Sequence, residues 1–233
     1  MDWLHRTPPW RPPWHGGLWR LPAGLDRLGG CGRVLLSFDD GPAPSTARIA
    51  EVLQAQEARA LFFLLGERLP GDPQPATPQQ AEAGRITREL LRAGHLPAVH
   101  GLVHRRQAWR PATAVTRDFS RAAERIQAAC GFAPRQMRPP YGSWGPWLRH
   151  VPRRLDLQLV FWSFNPYDYR PRDPRELARL AGEGVRGGDI LLLHCTGAGQ
   201  EMTRAALPEL LARLRDRGLA TLDPLCLLET GHD

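Results

Sequence analysis

Residues 34–42 read VLLSFDDGP, and they decide the fold. Four of the first five side chains are apolar, and the run stops at Asp39, Asp40, Gly41 and Pro42. A short apolar run closed by turn-forming residues is a strand buried on both faces. Strands of that kind belong to parallel sheets, whose helical crossovers cover both sides. Outward from it, residues 45–56 carry Ile49, Val52 and Leu53 at helical spacing behind a cap at Ser45 or Thr46. The alternation then repeats. Strands are predicted at 60–65, 96–100, 135–138, 157–162, 189–194 and 219–222. Helices are predicted at 79–92, 111–129, 174–181 and 203–217, with a Pro-rich loop over 70–78. Repeated strand–helix units make an α/β fold with parallel strands. Periodicity does not separate an open sheet from a closed barrel.

The chain has 233 residues, 42% hydrophobic and 24% charged, which suits one well-buried domain. No run of about 18 apolar residues is present, so no membrane-spanning helix is expected. The net charge is +7, and every one of the 31 Lys-plus-Arg positions is Arg. Without lysine there is no Schiff-base chemistry and no P-loop. The Arg-rich surface reads as a solvated face, and no nucleic-acid partner is expected. Cys31, Cys130, Cys195 and Cys226 form no CxxC pair, so buried free thiols are expected rather than a zinc knuckle or a disulfide framework. Residues 1–30 read as a Pro- and Trp-rich arm ahead of a single domain at 31–233. The arm holds Trp3, Trp10, Trp14 and Trp19. It packs on the domain, stacks on sugar or an interface, or serves as a proline-rich partner motif. It lacks the apolar stretch of a secretory signal. The expected location is therefore cytoplasmic, or the cell envelope if the true start lies upstream. Oligomeric state is left open.

The polar residues fall at one end of the predicted strands. Asp39 and Asp40 follow the first, His100 ends the third with His104 four residues on, and Arg138 ends the fourth. Asn165 and Asp168 follow the fifth, and His194 ends the sixth. In a parallel α/β fold these ends share one face, where active sites sit. His100-x-x-x-His104 has the spacing that brings two imidazoles to one side of a helical turn. Two His and a carboxylate are a common metal set with open positions. Two ordinary surface histidines would give the same string. Adjacent Asp39 and Asp40 can divide labour between metal ligand and base, or simply form a turn. The Arg138 fork can orient a carboxylate at two points. His194 reads as a core histidine or as a general acid.

Together these residues resemble the polysaccharide deacetylases with NodB homology, carbohydrate esterase family four. Ser37–Pro42 is similar to that family's TFDDGP, His100–His104 to its H-(S/T)-x-x-H, and Arg138–Tyr141 to its RxPY. Residues 165–169 (NPYDY) resemble its D-x-x-D-W, and Leu191–His194 its L-x-L-x-H ending. Residues 61–66 are similar to its second strand. The resemblance runs from about Arg33 to Leu222. It implies a distorted, incomplete TIM-like (β/α) barrel of parallel strands. It also implies roles: Asp40, His100 and His104 hold one divalent metal ion, zinc first, with cobalt, nickel or manganese as alternatives. Asp39 is the base, Arg138 orients it, the Tyr141 backbone N–H polarises the acyl oxygen, and His194 is the acid. Departures are Asn165, where the family has a carboxylate expected to tune the acid histidine, Gly101 in place of Ser/Thr, and Tyr169 in place of Trp. Either Asp168 substitutes as the partner of His194, or His194 is simply less basic. Trp109, Trp144, Trp147 and Trp162 are read as sugar-groove aromatics or as core. The implied activity is metal-dependent removal of N-linked acetyl (or O-acetyl) groups from an acetylated carbohydrate. A non-sugar amide or imide, or a silent wall-polymer-binding module, are the alternatives.

Overall fold

A computed structural model describes residues 5–6, 17–71, 76–170 and 173–229. The arm tryptophans Trp3, Trp10 and Trp14 lie outside the described residues. The central strand is β2 (Cys31–Gly41), flanked by the short antiparallel β1 (Arg27–Leu28). Then follow α1 (Pro44–Ala55), β3 (Leu61–Leu64), α2 (Pro78–Arg92), β4 (Leu96–Val99), α3 (Ala112–Cys130), β5 (Gln136–Met137), α4 (Val151–Leu155) and β6 (Gln158–Leu159). The chain ends with α5 (Pro174–Gly184), β7 (Ile190–His194), α6 (Gln200–Asp216) and β8 (Leu219–Thr221). β2 to β6 pair in sequence order, all parallel; β7 pairs parallel with β2 on its other side, and β8 pairs parallel with the first part of β2.

The sheet is curled, and its seam between β6 and β7 is stitched by irregular segments. Leu18 bridges Val160, Arg20 bridges Asp189, and Phe164 bridges Leu191. Beneath the seam Asp189, fully buried, pairs with Arg6 and Arg20 and accepts from the Ser163 hydroxyl at 2.8 Å. This is the interrupted barrel that the sequence resemblance implies.

β2 is apolar on both faces for a structural reason. Val34, Leu36 and Phe38 pack outward with Ile49 and Leu53 of α1. Leu35 packs inward with Leu61, Phe63, Leu96, Ala98 and Ile190. Side chains alternate along a strand, so burial on both faces produces an unbroken apolar string. Helix ends follow local chemistry. Thr77 caps α2 by accepting from the Gln80 N–H at 3.2 Å, and α3 stops at Gly131, whose φ of 76° needs glycine. No helix among the described residues is long and apolar enough to cross a membrane. All four cysteines are free. Only Cys195 is fully buried, and Cys31 is exposed, against the expectation of buried thiols throughout.

Candidate active site

Asp39 continues the inward row of Leu35 and Ser37. Strict alternation would send Asp40 the other way. Instead the pairing of β2 with β3 slips between Phe38 and Gly41, and Asp40 takes a φ of 74°. A bulge of this kind re-aims a side chain at a strand end. As a result both aspartates face the same imidazole: His100 Nε2 lies 3.3 Å from Asp40 Oδ1 and 3.7 Å from Asp39 Oδ2.

His100 and His104 do meet, with ring centroids 5.5 Å apart, but not on a helical turn as the spacing suggested. Residues 100–104 form a bent loop, because Gly101 has a φ of 94° that reverses the chain. The loop is held from α3. Buried Asp118 accepts from the Leu102 N–H at 2.8 Å and pairs with Arg110 at 3.2 Å. A β-carbon at position 101 would sit 3.0 Å from the Asp118 carboxylate. Gly101 therefore leaves that space beside Asp118 without a side chain.

His100 Nδ1 lies 2.8 Å from the Arg138 carbonyl, which can only accept. The proton is therefore on Nδ1, and Nε2 presents a lone pair toward Asp40. His104 Nε2 lies 3.2 Å from the same Asp40 Oδ1. That oxygen is buried without a hydrogen-bond partner. Burial lowers the pKa of His104, which favours a neutral ring. The three ligand atoms lie within 4.8 Å of one another. Two imidazole lone pairs and a carboxylate oxygen converging without a donor between them fit a cation.

Arg138 is fully buried, yet it does not grip Asp39 at two points. One nitrogen donates to Asp39 Oδ1 at 2.7 Å, while the other two donate to the carbonyls of Val160 and Phe161 at 3.0 and 2.6 Å. The barrel wall takes the rest of the fork, and Asp39 Oδ2 is left facing the cluster. The guanidinium also lies 4.0 Å over the Phe63 ring and 5.7 Å from that of half-buried Trp162.

On the far side, register pairs Asp39 with His194 across β2 and β7. Asp168 clamps His194, with one carboxylate oxygen 2.8 Å from Nδ1 and the other accepting the backbone N–H at 2.7 Å. Thr203 of α6 donates to Asp168 at 2.8 Å. Burial alone would lower the His194 pKa, but the Asp168 hydrogen bond and the Asp168, Asp39 and Asp40 charges lift it to about 9. Asn165 does not occupy the tuning position; its side-chain oxygen accepts from the Tyr167 N–H at 2.8 Å and shapes the turn that presents Asp168. Tyr169 meets His194 edge-on at 5.4 Å.

Tyr141 has a φ of 59°, a strained value for an aromatic residue, and its ring packs 4.5 Å from that of His104. Of the tryptophans, Trp147 is core, donating to the Gln107 carbonyl at 2.9 Å. Trp109 and Trp144 are exposed. Thr203 and Asp118 were not legible in the sequence, since each is one polar residue among many on a helix that only the fold brings to the site.

The family model described as "Polysaccharide deacetylase" matches residues 27–160. The chain is 30% identical over 205 residues to a chitooligosaccharide deacetylase of Azorhizobium caulinodans, covering 82% of this chain and 92% of that one. Among solved structures, a family 4 acetyl xylan esterase from Clostridium thermocellum, in complex with a cobalt ion, superposes with a TM-score of 0.74 at 26% identity, covering 86% of this chain and 93% of that one. A peptidoglycan N-acetylglucosamine deacetylase, Bc1960, superposes with a TM-score of 0.79 over 96% of this chain and 100% of that one; at 22% identity it speaks for the fold.

Proposed function

This chain belongs to the polysaccharide deacetylase family, and from that premise we propose that it hydrolyses the N-acetyl (or O-acetyl) groups of an acetylated carbohydrate with a divalent cation held by Asp40, His100 and His104. The observation that carries the reading is the buried, partnerless Asp40 oxygen between two imidazole nitrogens. An N₂O donor set with open positions suits zinc first, with cobalt, nickel or manganese as alternatives. Such an ion supplies Lewis acidity and makes water easier to deprotonate near neutral pH.

The chain's own residues do the remainder. Asp39 takes a proton from the attacking water through Oδ2, while Arg138 holds Oδ1 and keeps the carboxylate aimed. The Tyr141 N–H donates to the acyl oxygen as charge gathers there. His194 delivers a proton from Nε2 to the departing nitrogen, while Asp168 fixes Nδ1. The carbon–nitrogen bond breaks, a carbon–oxygen bond to water forms, and acetate and an amine leave. Trp144 is assigned to substrate contact, and Trp162 to backing the Arg138 guanidinium. Complete polar machinery favours turnover over silent binding.

The test is acetate release from N-acetylglucosamine oligomers by zinc- or cobalt-loaded protein. Release that Asp39→Asn lowers by about 10²–10⁴-fold supports the reading. Loaded protein that releases no acetate from acetylated saccharides would overturn it.

A further inference from the structure

The two imidazoles of the cluster are held differently. His100 directly follows β4, and its Nδ1 is bonded to the Arg138 carbonyl at 2.8 Å. His104 sits on the bent loop with its side chain 29% exposed, and among the described residues its Nδ1 has no hydrogen-bond partner. A metal-binding imidazole is ordinarily aimed by a bond at its other nitrogen. His104 has to be aimed by its backbone instead. The Gly101 and Leu102 carbonyls accept from the Gly66 and Glu67 N–H groups at 3.0 and 2.7 Å, and the His104 N–H reaches exposed Glu67 at 3.4 Å. The Leu102 N–H donates to Asp118 Oδ2 at 2.8 Å. Asp118, nearly fully buried, is itself fixed. Buried Gln107 donates its amide to Oδ2 at 3.3 Å, and Arg110 donates to Oδ1 at 3.2 Å and to the Gln107 side-chain oxygen at 2.8 Å. The Gln107 backbone is held in turn: its N–H donates to the Ser143 hydroxyl and its carbonyl accepts from the Trp147 indole, both at 2.9 Å. A fully bonded buried network of this kind is rigid. The fit to the loop is close, since a β-carbon on Gly101 would lie 3.0 Å from Oδ2.

We propose that Asp118 is a positioning residue of the cation site: a fixed acceptor that sets the loop from which His104 aims Nε2 at Asp40. The inference rests on the metal-site reading. Asp118 acts through where its Oδ2 stands and not through its charge, because the Arg110 guanidinium beside it offsets that charge. Length and charge can therefore be varied separately. Asp118→Asn keeps an acceptor at the same reach and loses the charge. Asp118→Glu keeps the charge and adds a methylene against the loop. Asp118→Ala removes the acceptor altogether.

Zinc affinity is read by competition with a chromophoric chelator, the coordination geometry by the visible absorption of cobalt-loaded protein, and the fold of each metal-free chain by denaturant unfolding. Asp118→Asn is expected to bind zinc as the parent does. Asp118→Glu and Asp118→Ala are expected to bind it about 10–100-fold more weakly and to change the cobalt spectrum. Asp118→Glu keeps the pair with Arg110, so it carries the test if Asp118→Ala does not fold. A role in stability alone would move the unfolding midpoint and leave affinity and spectrum untouched. Parent-like affinity in Asp118→Glu, or an Asp118→Asn weakened as much as Asp118→Glu, overturns the inference. Parent protein that holds no zinc overturns the metal-site reading beneath it. The expected order of affinities without any acetate release retains the inference and sinks the deacetylase reading instead.

Discussion

At the residue scale the site depends on how each acid or base is held. In the proposed reaction His194 needs its proton when the carbon–nitrogen bond breaks. With a pKa lifted to about 9 it stays cationic below that pH and loses its proton above it. Activity is therefore expected to fall on the alkaline side near pH 9. Asp168→Asn removes the hydrogen-bonded one of the three charges that raise it, and the alkaline limb of a kcat profile is expected to move down by about one pH unit or more. An unmoved limb would assign that ionisation to another group. Thr203→Val removes one donor from buried Asp168, at a stability cost of about 1 kcal/mol read by denaturant titration. Asp39, Asp40, His100, Arg138 and His194 were legible in the sequence because each falls at a strand end, and His104 because it follows His100 at a metal-ligand spacing. What Arg138 and Asn165 do was not. The other two nitrogens of the Arg138 fork go to carbonyls of the 160–161 segment, and Asn165 is spent on a turn, and neither partner has a sequence signature.

At the scale of elements, strand ends and connecting loops aim the chemistry. Most buried strands and covering helices were legible from apolar runs and caps. β1 was missed because it is two residues in a Gly-rich stretch. β6 is shorter than predicted because the segment after it leaves the ladder to meet Leu18, and β5 spans only Gln136–Met137. The bulge at Asp40 and the bend at Gly101 were also hidden, since alternation and HxxxH spacing describe regular backbone and these are departures from it. The approach of α6 to the loop carrying Asp168 gives a test. A β-carbon at Gly199 would lie 2.1 Å from the Asp168 carbonyl oxygen, so Gly199→Ala must displace one of them. Displacing His194 through Asp168 is expected to lower kcat by about 10²-fold with bound metal unchanged. Full activity in that variant would show that the loop yields without cost.

At the scale of the whole molecule, the interrupted barrel is closed by polar stitching beside its core. Asp189 anchors Arg6 and Arg20 across the seam while fully buried. Removing one partner of such a group is costly, so Asp189→Ala is expected to lose about 3 kcal/mol in denaturant unfolding. A loss under 1 kcal/mol would mean that backbone bridges alone hold the seam. The mouth of this barrel gathers ligands from β2 and from the loop after β4, which no single stretch of sequence displays. Everything proposed for the reaction depends on those ligands holding one cation. The direct measurement is metal content by elemental analysis after exhaustive dialysis of zinc-loaded protein, beside Asp40→Ala prepared identically. The account predicts about one zinc per chain in the parent protein and none in the variant. Parent protein that emerges metal-free, or a variant that keeps its zinc, would contradict it.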